Sequence, residues 1–130
     1  MSLTTDSSGD YVIRPNEPQE LKATAESGAT IKLTWRYSTM NQEVAPDEFV
    51  VYYDNGTGTV DYTYANKLTT VSAVTFNYTT DALSDGTVYK FAVRARSTDD
   101  NEDTNSNEVS IKAISTGPAA VTDLTASAGF

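Results

Sequence analysis

Hydrophobic and polar residues alternate with a period of two along most of this chain. The alternation is cleanest between residues 30 and 37, where Ile31, Leu33 and Trp35 share one phase. Side chains of a strand point alternately to the two faces of a sheet, so this pattern indicates strands with one buried face. The sequence shows no helical periodicity. We therefore expect an all-β fold of short antiparallel strands.

Turn signals divide the chain into seven predicted strands. Pro15 and Pro18 precede the first strand, which suits the edge of a sheet, where a missing N–H donor costs least. Asn55-Gly56 favours the positive φ angles of a type I′ hairpin turn after the third strand. The predicted strands are 20–26, 30–37, 49–53, 59–64, 74–78, 89–96 and 108–114.

The segment 83–95 carries the most specific pattern. It reads L-S-D-G-T-V-Y-K-F-A-V-R-A, with Gly86 in a turn and Tyr89 at the start of a strand. A tyrosine at this position can bury its ring while its hydroxyl bonds to the backbone of the turn, an arrangement called the tyrosine corner. Together with Trp35 in the second strand, this segment resembles the fibronectin type III family over about residues 15–115.

This resemblance implies a seven-stranded antiparallel Greek-key β-sandwich, which is an immunoglobulin-like fold. It also implies structural roles for the matching residues. Trp35 would be a core anchor, and Tyr89 would bond to the turn before its strand. The Arg-Gly-Asp triplet through which some members bind integrins is absent from the chain, so that activity is not implied. The structural residues are Trp35, Leu83, Gly86 and Tyr89.

The third predicted strand, 49–53, is apolar in both phases, so it is either covered on both faces or exposes one apolar face. The family pattern places Val50 and Tyr52 on the outward face. With Tyr62 and Tyr64 they form a candidate exposed surface for binding protein or carbohydrate, since tyrosine buries a large area at low entropic cost. Alternatively, these side chains form ordinary cross-strand pairs that stiffen the sheet.

Composition excludes several classes of function. The 130 residues carry a net charge of −9 and include no histidine and no cysteine. Serine–histidine–aspartate triads, cysteine–histidine pairs and the commonest zinc sites are therefore excluded. An acidic surface repels phosphate, so we expect neither nucleic acid nor an anionic membrane as a partner. No apolar run is long enough to insert into a membrane, and we expect no cofactor.

The acidic loop after the sixth strand is a weak candidate for a metal site. Asp99, Asn101 and Asp103 place oxygen donors at every second position, as in the start of a calcium loop. The pattern then departs from an EF-hand, because Thr104 stands where glycine is needed and Ser110 where glutamate is needed. A solvated acidic loop without a metal is the alternative reading.

We divide the chain into three parts. Residues 1–14 form a polar arm, residues 15–116 the sandwich, and residues 117–130 a linker with the start of a possible next repeat. In the last part, Pro118 and Leu124 repeat the spacing of Pro15 and Leu21. This internal similarity indicates that the chain comes from a tandem array of modules.

The expected function is non-catalytic: a monomeric spacer or interaction module within a larger protein. Its partners would be the neighbouring domains of the same chain, and also a protein or a carbohydrate. The family resemblance implies an extracellular or cell-surface location, where the acceptor triplets at Asn55 and Asn77 could carry glycans. The alternative class is a small glycan-active enzyme with paired carboxylates. It would require a pocket lined by two acids with raised pKa values.

Overall fold

The computed structural model describes residues 3–5 and 11–116, and its strands are all antiparallel. A short 3-10 helix, Tyr64–Asn66, lies between the fifth and sixth strands. The strands are β1 Leu3–Thr5, β2 Tyr11–Ile13, β3 Gln19–Glu26, β4 Thr30–Arg36, β5 Glu48–Tyr53, β6 Thr69–Ser72, β7 Asn77–Thr79, β8 Val88–Arg96 and β9 Val109–Lys112.

Seven of these strands form two sheets, which confirms the predicted sandwich. One sheet has the order β3-β4-β7, and the other has the order β6-β5-β8-β9. β4 pairs with β7 and β5 pairs with β8, so each sheet contains one pair of strands that are not consecutive in sequence, as in Greek-key folds. β3 lies at an edge, as its prolines predict, and its register with β4 shifts between Gln19 and Lys22.

The core lies between the two sheets and is built from alternate residues of the central strands. Trp35 is only 4% exposed, and its ring meets Phe49 edge-on, with centroids 5.6 Å apart. The fully buried side chains of β4, β5 and β8 that face this core are Ile31, Leu33, Phe49, Val51, Phe91 and Ala95. The predicted inward phase of these strands is therefore correct.

The predicted strand 59–64 is wrong. The type I′ turn is present, since Asn55 and Gly56 have φ angles of 52° and 82° and the Thr57 N–H donates to the Asp54 carbonyl over 3.0 Å. The chain does not return as a paired strand after it, because the Asp54 carboxylate also binds the N–H of Gly58 and curls the loop. The edge strand next to β5 is instead β6, Thr69–Ser72.

The predicted strand 74–78 is also shorter than expected. Only Asn77–Thr79 pairs with β4. A tight bend precedes it, in which the Thr75 N–H donates to the Ser72 carbonyl over 3.0 Å. That bend turns Val74 outward, where 82% of the side chain is exposed.

The described part of the N-terminal arm lies outside the two sheets of the sandwich. β1 and β2 pair with each other in a separate two-stranded sheet, so the polar arm contains a hairpin that the sequence did not predict. The predicted linker and repeat at 117–130 lie outside the described residues. Among the helices of the described chain, none is long and apolar enough to cross a membrane.

Candidate functional site

The tyrosine face, as we call it, is the outer surface of the four-stranded sheet around Tyr52, Tyr62, Tyr64, Arg94 and Arg96. Tyr52 alternates along β5 with the core residues Val51 and Tyr53, so it points away from the core. Val50 lies opposite Arg94 in the register between β5 and β8. The strands therefore place aromatic and cationic side chains together on one face.

The expected exposure of Val50 and Tyr52 is wrong. Both residues are fully buried, because the loop after β5 folds over them instead of forming a strand. Val60 is 7% exposed and completes this second cluster, while Tyr62 and Tyr64 are half-buried on top of it. The structure thus brings the four predicted surface residues together, but in two layers, with only the upper tyrosines reaching solvent.

Each tyrosine hydroxyl of this face donates a hydrogen bond to a glutamate. The Tyr52 hydroxyl lies 2.7 and 2.8 Å from the two carboxylate oxygens of Glu102. The hydroxyl of Tyr62 donates to Glu108 over 2.7 Å, and that of Tyr64 donates to Glu48 over 2.9 Å.

These contacts hold the phenols in their neutral form. Burial, and after it the hydrogen bond to glutamate, raises the pKa of Tyr52 and the pKa of Tyr62. For Tyr64 the hydrogen bond to Glu48 is the main cause of the raised pKa.

Cations stack on the same tyrosine rings. The Arg94 guanidinium carbon lies 4.0 Å from the centre of the Tyr62 ring. Arg96 and Lys67 each lie 3.9 Å from the centre of the Tyr64 ring. Such cation–π contacts stabilise both partners, more so where water is excluded.

The acidic side chains of the following loop complete this network. Arg96 forms ion pairs with Glu102 and, over 3.4 Å, with Asp100. A shallow cleft of about 340 Å³ runs between the half-buried Tyr62 and Tyr64 and this loop. Three of its charged lining groups, Arg96, Asp100 and Glu102, are thus already paired with one another. The sequence analysis missed these arginines and glutamates, although the alternation of Arg94 and Arg96 along β8 was a usable signal for the arginines.

The candidate metal residues do not converge on a site. Asp103 is 5% exposed, and its carboxylate accepts hydrogen bonds from the N–H of Ala95 over 2.7 Å and of Asn105 over 2.9 Å. Burial raises the pKa of Asp103 to about 6, although these donors partly offset it. Asp99 is exposed and Asn101 half-buried. Within the described part of the chain, no group of three or more acids could hold a metal ion.

Asp54 is a second buried acid, which the sequence analysis also missed. It is 3% exposed, and its carboxylate accepts hydrogen bonds from the N–H groups of Gly56, Gly58 and Lys90 over 2.9, 2.9 and 3.1 Å. It therefore ties the loop after β5 to β8. An aspartate before Asn-Gly is a turn signal in its own right, because its side chain can bind backbone N–H groups two residues on.

The structural residues lie where the family pattern places them. Tyr89 is 5% exposed, and its hydroxyl accepts a hydrogen bond from the Ser84 N–H over 3.0 Å. Gly86 has a φ of 81°, a conformation that favours glycine. Leu83 is half-buried against the main core. These residues fix the turn before β8, and the acidic loop follows the other end of that strand.

Comparison with known proteins gives a family and several similar folds. The family described as fibronectin type III domain matches residues 16–112. A crystal structure of a Fn3-like protein from Clostridium thermocellum has 26% sequence identity and a TM-score of 0.57, and the match covers 74% of this chain and 90% of that chain. The comparison with curated proteins found no match.

Two multidomain structures are also similar in fold. The FN1–FN3 domains of chicken CNTN1 share 18% identity at a TM-score of 0.58, and the match covers 75% of this chain and 30% of that chain. A crystal structure of domains from titin shares 16% identity at a TM-score of 0.62, with coverage of 78% and 32%. The present chain therefore spans about a third of each of these longer chains.

Proposed function

Because the chain belongs to the fibronectin type III family, we propose that it is a non-catalytic spacer module of a larger protein. Domains of this family are typically modules of multidomain chains. The coverage of about a third of the CNTN1 and titin structures agrees with that role. An extracellular or cell-surface location, with neighbouring domains as partners, is part of the same proposal.

The observation that carries this proposal is the self-contained tyrosine face. A surface that binds carbohydrate through aromatic rings needs open ring faces and free polar groups beside them. Here the Tyr62 and Tyr64 rings are stacked against Arg94 and Arg96, and both hydroxyls are bonded to glutamates. A ligand would have to displace these internal contacts, so the face favours stiffening of the sheet over binding.

The two ends of the sandwich are tied down, which also supports a spacer. Where the chain enters the sandwich, the Asn16 side chain donates to the carbonyls of Ser38 and Met40 over 2.9 and 3.0 Å. Where it leaves, the Ser115 N–H donates to Asp85 over 2.7 Å, and the Ser115 carbonyl accepts from the Gly28 N–H over 2.8 Å. Fixed ends give a module a defined length between its neighbours.

Pulsed electron paramagnetic resonance between two spin labels tests the fixed length. The chain has no cysteine, so Ile13→Cys and Thr116→Cys introduce the labels without removing a native thiol. We expect a narrow distance distribution that broadens in Asp85→Ala, because that change releases Ser115. Asp81→Ala, a change of an exposed acid on the neighbouring loop, is the matched control and should leave the width unchanged. A broad distribution in the starting protein would overturn the spacer role.

The interaction role makes a different prediction. Isotope-labelled chain titrated with cellulose, xylan and chitin oligosaccharides should show no saturable shifts at Tyr62 or Tyr64 if the face is only structural. Saturable shifts confined to these residues, and lost in Tyr62→Ala, would replace the spacer by a carbohydrate-binding module. Release of reducing sugar from the same oligosaccharides, abolished in Asp103→Asn, would favour the glycan-active enzyme instead.

A further inference from the structure

The dipeptide Asn55-Gly56 contains a reactive pair of groups at an exposed turn. In such a pair the backbone nitrogen of Gly56 can attack the side-chain carbon Cγ of Asn55. A bond forms between these atoms, the Cγ–Nδ2 bond breaks, and ammonia leaves with the proton of the Gly56 N–H. Water then opens the resulting succinimide to aspartate or isoaspartate. Glycine makes this ring closure easiest, because it has no Cβ to obstruct the attack.

The attacking nitrogen is held by a buried anion in this fold. The Gly56 N–H donates to Oδ1 of Asp54 over 2.9 Å, and the same oxygen accepts from the Lys90 N–H over 3.1 Å. The second oxygen, Oδ2, accepts from the Gly58 N–H over 2.9 Å. Asp54 is only 3% exposed, so water does not compete for these bonds.

We propose that Asn55 is a latent deamidation site, which the Asp54 carboxylate keeps unreactive in the folded protein. The nitrogen of Gly56 must lose its proton to become a nucleophile. A carboxylate that accepts this proton in a hydrogen bond opposes its removal, because a second negative charge would form beside the first. The bond also fixes the peptide plane, so the nitrogen cannot turn toward the Asn55 side chain.

The turn itself explains why this reactive pair is present. Asn55 and Gly56 both have positive φ angles, 52° and 82°, which most other residues adopt only with strain. A Cβ on Gly56 would also lie 3.3 Å from the Cγ2 of Thr87. The turn therefore needs glycine at the position that makes the asparagine reactive, and Asp54 is the group that offsets this.

Deamidation here would affect more than one side chain. Isoaspartate adds one carbon to the backbone and would break the turn in which the Thr57 N–H donates to the Asp54 carbonyl. Aspartate would add a negative charge next to buried Asp54. Either product would loosen the loop that carries Val60 over Tyr52. The modification site is thus coupled to the cover of the tyrosine face.

Peptide mapping by mass spectrometry tests the proposal on the full chain at mildly alkaline pH. Conversion at Asn55 is followed in the folded protein, in the same protein unfolded in urea, and in the folded variants Asp54→Ala and Asp61→Ala. We expect Asn55 to react at least about tenfold more slowly in the folded protein than in urea, since a hydrogen bond to an ionised group contributes at least this factor. Asp54→Ala should approach the rate in urea.

Asp61→Ala is the matched control. The Asp61 carboxylate lies in the same loop but accepts from the Thr63 N–H, so its loss should leave the rate at Asn55 unchanged. Native tryptophan emission identifies samples that are folded. If Asp54→Ala does not fold, Asp54→Asn is used, because it keeps one acceptor oxygen for the turn but removes the negative charge that opposes loss of the Gly56 proton, so Asn55 should still react faster. Equal rates in the folded and unfolded protein, or an unchanged slow rate in the folded Asp54 variant, would overturn the proposal.

Discussion

The hydroxyl of Tyr89 accepts a hydrogen bond from the backbone N–H of Ser84 over 3.0 Å, five residues earlier in the chain. This contact ties the beginning of β8 to the turn that precedes it. Because Tyr89 is only 5% exposed, the ring also contributes to the core between the sheets. One side chain thus fixes both a turn and the packing of the strand that pairs with β5 and β9.

Tyr89→Phe should lower the free energy of unfolding by about 1–3 kcal/mol, because a backbone donor loses its partner while the packing of the ring is kept. Urea denaturation followed by circular dichroism measures the change. Tyr62→Phe is the matched control, since its hydroxyl bonds to an exposed glutamate and its loss should cost less. An equal or smaller effect for Tyr89 would refute the role of the tyrosine corner.

Trp35→Ala should lower the free energy of unfolding by about 3–5 kcal/mol, through lost burial and the cavity that remains. The residue packs against Phe49 and is 4% exposed, so its emission in the native protein should be that of a buried indole. Met40→Ala, at a residue 75% exposed, should cost less than about 0.5 kcal/mol. Native emission typical of indole in water would contradict this placement.

Asp103 should make the protein less stable as the pH rises through about 6, the pKa to which burial raises its carboxyl group. In the unfolded chain this pKa is about 3.9. The folded state therefore binds the proton more tightly than the unfolded state. The stability gained in this way is complete at pH values below the pKa of Asp103 in the unfolded chain, and it is lost above the pKa in the folded protein.

The free energy of unfolding should fall by about 3 kcal/mol across this range, as given by the difference between the two pKa values. It is measured as the difference in pH dependence between the starting protein and Asp103→Asn. Urea denaturation at several pH values between these limits gives both curves. Parallel curves would show that Asp103 does not titrate in this range.

Calcium at micromolar concentration should leave the melting temperature unchanged. The Asp103 carboxylate already accepts backbone hydrogen bonds from β8 and its own loop, and Asp99 points to solvent. Any binding should therefore be no tighter than millimolar, as in weak extracellular sites. Scanning calorimetry with calcium and with magnesium checks this, and a calcium-specific rise that is lost in Asp99→Ala would be evidence for a site.

Removal of residues 118–130 should shift the melting temperature by no more than a few degrees. Within the described residues, 3–5 and 11–116, the two sheets contain the seven expected strands, the last of which ends at Lys112, and Ser115 is held by Asp85 and Gly28. Thermal denaturation of the shortened chain measures the shift. A loss as large as that of Trp35→Ala would mean that the removed segment belongs to this sandwich and that the tandem-array hypothesis is wrong.

The sequence predicted those parts of the fold that depend on local alternation. Ile31, Leu33 and Trp35 are all buried in one phase, as a strand with one solvated face requires. The same rule failed for Val60, Tyr62 and Tyr64, which alternate but belong to a covering loop. Alternation shows that one side of a segment is apolar, and it cannot show whether hydrogen bonds to a partner strand are available.

The buried acids could not be predicted for a related reason. Asp54 and Asp103 stand in polar segments that look solvated, and each is buried because backbone N–H groups of β8 reach it. Those donors lie 36 and 8 residues away in sequence. Their approach depends on how the loops close over the sheet. For the same reason, the sequence could not predict which glutamates accept hydrogen bonds from the tyrosine hydroxyls.

Because β5 is covered on both faces, its hydrogen exchange and its tolerance of substitutions should differ from those of the other strands. From Phe49 to Tyr52 every side chain is fully buried, two in the core between the sheets and two beneath the loop that carries Val60. β5 is also paired on both sides, with β6 and β8. Its backbone amides should be among the last to exchange with deuterated water, since they open only with the whole domain. Substitutions among related sequences should likewise be rarest along this strand, because neither of its faces meets solvent.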